Sequence, residues 1–235
     1  MTAQPDGFRI KAQPTDTSCG PTCLHAVYQY YNDNLPLDAV IQEIPQLTDG
    51  GTLAVHLGNH ALKKGYRAEL YTYNLRVFDP SWFNPSFENS DGRLERQIAE
   101  TTDSRRQHAS AAYLEFHQLG GNIHLQDLTG SLIRRILRQQ QPILTGLSST
   151  FLYRSKREIP ETCEESDIEG EPTGHFVVIC GYDPKTKEVL VADPYELNPI
   201  GESTQYHVPM DRLINSILLG VLTYDANLLV IKPRS

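Results

Sequence analysis

Residues 13–24 read Gln-Pro-Thr-Asp-Thr-Ser-Cys-Gly-Pro-Thr-Cys-Leu, and they decide how the fold begins. From Ser18 onward, apolar residues recur at helical spacing as far as Tyr31, which predicts a buried helix over residues 18–31. Pro21 suits the first turn of this helix, where no backbone amide is needed. The stretch therefore places the thiol of Cys19 at the start of a helix, six residues after the amide side chain of Gln13.

A thiol in this position has a chemical use. Cysteine attacks as a thiolate, and the unpaired amides and dipole of a helix N-terminus stabilise that anion. Taken alone, Cys19 could equally be an inert buried cysteine, and Cys23, one turn further along the helix, is best interpreted as core. A nucleophile also needs a base and a group that orients the base.

The remaining pattern predicts an α+β chain, with helices first and an antiparallel sheet second. Further helices are expected at residues 37–41, 53–64, 94–100, 109–119, from 125 or 128 to 140, and 209–217. Strands are expected at residues 66–75, 143–147, 174–182, 189–193, 218–222 and 228–232. We expect one domain over residues 1–235, with a helical insertion at about 76–127 and a mobile acidic loop at about 154–173.

Composition excludes several classes of function. The 235 residues carry a net charge of -8, which argues against a nucleic-acid partner and, more weakly, against an anionic membrane surface. No apolar run resembles a signal peptide or approaches a membrane span. The four cysteines lack zinc spacing, so we expect reduced thiols in the cytoplasm, no metal and no cofactor. The oligomeric state is not predicted.

Only one of the eight histidines has a position that suits a base. His56 and His60 have the i, i+4 spacing of a metal pair but no third ligand accompanies them. His175 instead opens an apolar strand, and Asp193 closes the partner strand of the same predicted hairpin. Alternation places both on one face, opposite or diagonal to each other, so the carboxylate can orient the imidazole. The alternative is an ordinary surface histidine and a turn aspartate.

Three blocks of the sequence resemble the papain-like cysteine peptidases. They are Gln13 followed by Cys19-Gly20-Pro21, then Gly174-His175-Phe176-Val177-Val178, then Ala192-Asp193-Pro194. The branch they resemble most is that of the bacteriocin-processing (double-glycine leader) peptidases, in a stand-alone form. The resemblance covers most of the chain except about 76–127 and 154–173.

This resemblance implies a papain-like α+β fold, with an N-terminal helical half packed on a C-terminal antiparallel sheet, in a bacterial protein. It implies that Cys19 is the nucleophile, His175 the base and later the acid, and Asp193 the group that orients His175. The side-chain amide of Gln13 and the backbone amide of Cys19 would form the oxyanion hole. The expected reaction is cleavage of a peptide or isopeptide bond in a peptide or protein substrate through a thioester.

Two other functions fit the same residues. An acyl or peptidyl transferase would use the same thioester, with an amine replacing water. A non-catalytic module would hold a peptide without cutting it, although the complete set of Gln13, Cys19, His175 and Asp193 argues against that. The acidic loop either favours a basic substrate or is simply solvated.

Overall fold

Helices fill much of the first half of the chain, and most strands follow in the second. The computed structural model describes residues 7–47, 50–84, 87, 90–160, 162–201, 203–223 and 226–234. The helices in these ranges are α1 (Cys19–Tyr30), α2 (Leu37–Glu43), α3 (Ala54–Lys63), α4 (Asp91–Glu100), α5 (Ser104–Gln118), α6 (Gly130–Leu137), α7 (Ser149–Tyr153) and α8 (Met210–Leu219). The strands are β1 (Arg67–Thr72), β2 (Asn122–His124), β3 (Ile143–Ser148), β4 (Gly174–Asp183), β5 (Glu188–Ala192), β6 (Gln205–Pro209) and β7 (Asn227–Lys232).

The strands form one mixed sheet in the order β2-β1-β7-β3-β4-β5-β6. The pair β1 and β2 is parallel, and the other neighbours are antiparallel. Strand β7 follows α8 in the chain but lies between β1 and β3, so it joins the N-terminal strands to the His175 hairpin. The predicted sheet is therefore present, and the two strands that precede β3 in the chain, β1 and β2, extend it.

Each face of the sheet carries its own apolar core. On one face, α1, α3 and α5 bury their apolar residues against one side of the strands, which includes Phe176, Val178 and Leu190. On the other face, α6 and α8 pack on the alternate residues, which include Val177 and Val191. Because strand side chains alternate between faces, β4 and β5 are apolar almost throughout and support both layers.

The region predicted as an insertion, residues 76–127, contributes to the first of these cores. Its α5 buries Tyr113 and Phe116, and Phe78 before α4 is buried beside them. The ring of Phe116 fits against two glycines, since a Cβ added at Gly58 or Gly121 would lie 2.5 Å or 2.4 Å from it. Its apolar residues are few but large, and they bind the region closely to α3.

The strand predicted at residues 218–222 is wrong. Helix α8 continues to Leu219, and a short 3-10 helix covers Gly220–Thr223. The apolar run at 218–222 led to the error, because Leu218 and Leu222 in it are exposed rather than paired in the sheet. Conversely, β6 was not predicted, although Tyr206 and Val208 are buried in alternation along it.

Candidate active site

Cys19 is the first residue of α1, at the end of a tightly bonded loop. The Ser18 hydroxyl donates to the Thr15 carbonyl at 2.8 Å and accepts from the Thr15 amide at 3.0 Å, which closes this loop. Gly20 allows α1 to approach the sheet, because a Cβ there would lie 2.8 Å from Thr52 and 3.2 Å from the ring of Phe176. The sequence thus places Cys19, a residue that is 8% exposed, near the start of β4.

His175 lies at the start of β4 and is joined to Asp193, which follows β5. The register pairs Val178 with Ala192, so His175 and Asp193 are diagonal neighbours across the hairpin, as predicted. The two groups are 2.8 Å apart, from Nε2 of His175 to Oδ1 of Asp193. A carboxylate can only accept, so Nε2 carries the proton and Nδ1 is the ring nitrogen left for the sulfur of Cys19.

Asp193 is fully buried and accepts more than the histidine bond. Its Oδ1 also accepts from the backbone amide of Tyr195 at 2.8 Å. Its Oδ2 accepts from the hydroxyls of Tyr153 at 2.7 Å and Tyr206 at 2.5 Å. The sequence interpretation missed both tyrosines, because α7 is too short to show a helical period and the strand β6 was not predicted.

Gln13 is held beside the same carboxylate segment. Its backbone amide donates to the carbonyl of Pro194 at 2.8 Å, which links the loop before Cys19 to the residue after Asp193. Its side-chain Nε2 donates to the Thr15 carbonyl at 3.1 Å, and that nitrogen carries a second hydrogen. Within the described ranges the Oε1 atom of Gln13 is buried without a hydrogen-bond partner.

The electrostatics of the cluster favour a charged pair of His175 and Asp193. Burial lowers the pKa of His175, but the hydrogen bond and charge of Asp193, together with interactions with Cys19, raise it to about 10. Burial raises the pKa of Asp193, yet the charge of His175 and the hydrogen bonds from His175, Tyr206 and Tyr153 hold it below its usual 3.8. At neutral pH the imidazole is therefore protonated beside the Cys19 sulfur.

The other cysteines are in different environments. Cys23 is fully buried, donates to the Phe176 carbonyl at 3.3 Å, and has a pKa that burial raises well above its usual value. Burial also raises the pKa of Cys180, to about 12. All four cysteines are free, and Cys163 is exposed. Cys23 is therefore part of the core, as the sequence predicted.

The histidines on α3 form a separate polar cluster. His56 Nε2 lies 2.9 Å from Nε2 of His108, and His60 bonds to Tyr28 and to Glu43. They line a cavity of about 310 Å³ that shares no lining residue with the Cys19 cluster. Among the described residues, no group of three or more His, Cys, Asp or Glu side chains is arranged to hold a metal ion.

The acidic loop interacts through charge with the loop that precedes Cys19. Burial and the nearby charges of Glu165 and Asp16 raise the pKa of Glu158. The backbone of Glu158 pairs with Glu171, which folds the loop back on itself, while Glu161 lies outside the described residues.

In the part of the chain that the structure describes, no helix combines the length and apolar character needed to cross a bilayer.

Known proteins resemble this chain in sequence family and in fold. The model of the Peptidase_C39 like family matches residues 5–212. A C39-like peptidase from Bacillus anthracis superposes with a TM-score of 0.51 at 15% identity, covering 100% of this chain and 99% of that one. Xylellain, a cysteine protease from Xylella fastidiosa, gives a TM-score of 0.46 at 15% identity, covering 100% of this chain and 86% of its own.

A third similar structure is a double glycine motif protease from an AMS/PCAT transporter, in complex with the leader peptide. It gives a TM-score of 0.44 at 15% identity, covering 96% of this chain and 91% of that one. No curated protein matches the chain. The superposition on the Bacillus anthracis structure supports the fold alone, and the α+β papain-like fold expected from the sequence is confirmed.

Proposed function

The chain belongs to the Peptidase_C39 like family and is a cysteine peptidase-like enzyme, and on this premise we propose that it cleaves a peptide or isopeptide bond through Cys19, His175 and Asp193. The observation that carries the proposal is the position of His175, bonded through Nε2 to a buried carboxylate and interacting with Cys19. A base that is oriented on one side and in contact with a thiol on the other is the arrangement that thiol hydrolysis needs.

In the first half of the proposed reaction, the Cys19 thiolate attacks the carbonyl carbon of the substrate. The carbonyl π-electrons move to oxygen, and the resulting oxyanion accepts from the Cys19 backbone amide and from Nε2 of Gln13. His175, already protonated, gives its proton to the leaving amine as the C–N bond breaks. A thioester between Cys19 and the acyl part of the substrate remains, with His175 neutral.

In the second half, water takes the place of the amine. Neutral His175 accepts a proton from water as the oxygen attacks the thioester carbon, and the C–S bond then breaks to return the Cys19 thiolate. Asp193 keeps the imidazole in one tautomer and stabilises its charged form throughout. The cycle consumes one water for each bond cleaved and needs no cofactor.

We place this activity on peptide or protein substrates in a bacterial cytoplasm. The net charge of -8 supports a partner other than nucleic acid or an anionic membrane, and four free cysteines support a reducing compartment. We also propose that the region 76–127 is a helical insertion in a single domain, and that the acidic loop 154–173 is a mobile element beside the cleft.

The test is covalent labelling of Cys19, followed by intact mass and peptide mapping. Because Cys163 is exposed and will react with any thiol reagent, the parent for this experiment carries Cys163→Ser. We expect iodoacetamide to modify one site, Cys19, and Cys19→Ser to abolish the modification. Cys23→Ser is the matched control, since it removes a buried thiol from the same helix and should leave labelling intact.

Labelling of Cys23 or Cys180 with Cys19 unmodified would remove the nucleophile assignment. Once a substrate is found, product analysis with an added amine separates hydrolysis from transfer. A free carboxylic acid product supports hydrolysis, whereas an amide of the added amine shows that an acyl transferase uses the thioester.

A further inference from the structure

Asp193 accepts four hydrogen bonds, and two of the donors come from outside the hairpin of β4 and β5. The carboxylate is fully buried, and its bonds to His175 and to the Tyr195 amide come from the hairpin and the chain just after it. The two remaining donors are hydroxyls from other elements, Tyr153 at the end of α7 and Tyr206 on β6. Both hydroxyls donate to the same oxygen, Oδ2, whereas Oδ1 accepts from His175 and from the Tyr195 amide.

We propose that Tyr153 and Tyr206 are positioning residues for the reaction: together they hold Asp193 as an oriented carboxylate whose Oδ1 faces His175. This inference rests on the proposed function, because it gives the two hydroxyls a role only if the Cys19 and His175 pair is catalytic. The hydroxyl of each tyrosine bonds to Asp193, so each hydroxyl acts through that carboxylate. The ring of Tyr153 also lies beside the ring of His175, with centroids 6.2 Å apart, and a change to Phe keeps that ring contact.

The physical need for two donors follows from burial. A carboxylate removed from water loses its hydration, and it takes up a proton unless charges and hydrogen bonds replace the lost water. A protonated Asp193 would lose its charge interaction with His175. A carboxylate with two free lone-pair directions on Oδ2 could also rotate, and two hydroxyls from different elements fix the plane of the group.

The groups that face Asp193 determine whether its pKa rises or falls when the tyrosine hydroxyls are removed. They are His175 on β4, Tyr153 on α7, Tyr206 on β6 and Cys23 on α1. Only His175 carries positive charge, and the Cys23 thiol is neutral because burial raises its pKa well above the usual value. The two hydroxyls therefore favour the ionised form of Asp193, and removing them makes its protonation easier.

Burial also keeps the two hydroxyls in the form that donates. It raises the pKa of both tyrosines far above the usual 10, and the charge of Asp193 adds to the rise. They remain protonated across the whole range in which a cysteine peptidase works. Their contribution is thus constant with pH, and the group that titrates when they are removed is Asp193.

The test measures the rate of iodoacetamide alkylation of Cys19 between pH 4 and pH 9 in the Cys163→Ser parent. Tyr153→Phe, Tyr206→Phe and the double variant each remove hydroxyls and keep the rings. Tyr31→Phe is the matched control, because its hydroxyl donates to the Ile231 carbonyl at 2.9 Å and does not bond to the Cys19 cluster. Far-UV circular dichroism and melting temperature are recorded for every variant.

A hydrogen bond to a charged group is worth about 1.5–3 kcal/mol, which converts to a roughly 10- to 100-fold change in the ionised fraction. We therefore expect the acid limb of the alkylation profile to move to higher pH in the Phe variants, by about one to two pH units for each hydroxyl removed. The double variant should show the larger movement, and Tyr31→Phe should overlay the parent.

The proposal is overturned if folded Tyr153→Phe and Tyr206→Phe variants follow the Tyr31→Phe profile, whatever their melting temperatures. If the double variant does not fold, the two single variants decide. Failure of the proposed function gives a different result, because Cys19 of the parent itself would then resist alkylation at every pH.

Discussion

Replacing Asp193 with Asn should remove the charge of His175 at neutral pH. In the native protein Asp193 is the larger of the two influences that raise the pKa of this histidine to about 10, and Cys19 is the smaller. A rise from 6.5 to about 10, at about 1.4 kcal/mol for each pH unit, corresponds to about 5 kcal/mol. Burial acts in the opposite direction, so without the carboxylate the pKa of His175 should fall close to 6.5 or below.

The assay is a titration of the His175 ring by NMR in wild-type protein and in Asp193→Asn, with iodoacetamide alkylation of Cys19 run in parallel. The asparagine keeps the size of the side chain and an oxygen that accepts from Nε2–H. Its Nδ2 replaces the Oδ2 that accepts from Tyr153 and Tyr206, so the variant removes the charge together with those two bonds. We expect the ring of the variant to be neutral at pH 8 and alkylation at that pH to be slower than in wild type.

Stability supplies an independent readout of the same group. The folded-state pKa of His175 lies above its unfolded value of 6.5, so its contribution to the free energy of unfolding is complete below 6.5 and is lost as pH rises through about 10. Asp193→Asn should therefore flatten the decline in melting temperature on the alkaline side. A variant whose His175 is still protonated at pH 9 would refute the assigned role of Asp193.

Three further predictions concern the oxyanion site, the core and the acid limit of stability. Gln13→Ala should slow peptide turnover by roughly ten- to a thousandfold while leaving alkylation of the nucleophile unchanged, because alkylation forms no oxyanion; equal turnover would exclude Gln13 as a donor. Gly58→Ala should lower the free energy of unfolding in urea by about 1–3 kcal/mol, because its Cβ would lie 2.5 Å from the ring of Phe116. Gly92→Ala, where no atom lies within 4 Å of the added Cβ, is the control and should not destabilise. Burial lowers the pKa of His56 from 6.5 to about 4, so stability should fall by about 3 kcal/mol as pH drops across that interval, and His56→Asn should reduce the fall.

The sequence predicts those residues of the candidate site that lie at the beginning or the end of a helix or strand. Cys19 begins a periodic helix and Asp193 ends an alternating strand, so periodicity alone places them at element ends. Tyr153 and Tyr206 carry no such signal, because one lies on a helix of 5 residues and the other on an edge strand of 5 residues after an irregular loop. Their role depends on tertiary contacts across 40 and 13 residues of chain, which a local pattern does not contain.

The same distinction explains the errors in the fold. The helix at α1 and the hairpin of β4 and β5 were predicted because burial on a repeating face leaves a periodic pattern. The apolar residues at 218–222 imitate a buried strand, yet Leu222 is 52% exposed. An apolar run in a sequence shows which residues are apolar but not which are buried. Only the packing of α8 against β3 shows which residues of α8 face the core.

Because β7 occupies a central position in the sheet, the candidate site is assembled only after β7 has been synthesised, long after Cys19. Cys19 leaves the ribosome before His175, its proposed base, which lies more than 150 residues further along the chain. The strand that joins the two halves of the sheet, Asn227–Lys232, is made later still. At roughly 5–20 residues per second, synthesis separates the thiol from the completed sheet by about ten seconds or more. During that interval the nascent protein carries a cysteine without a partner, and its ability to cut bonds begins only once the halves have joined.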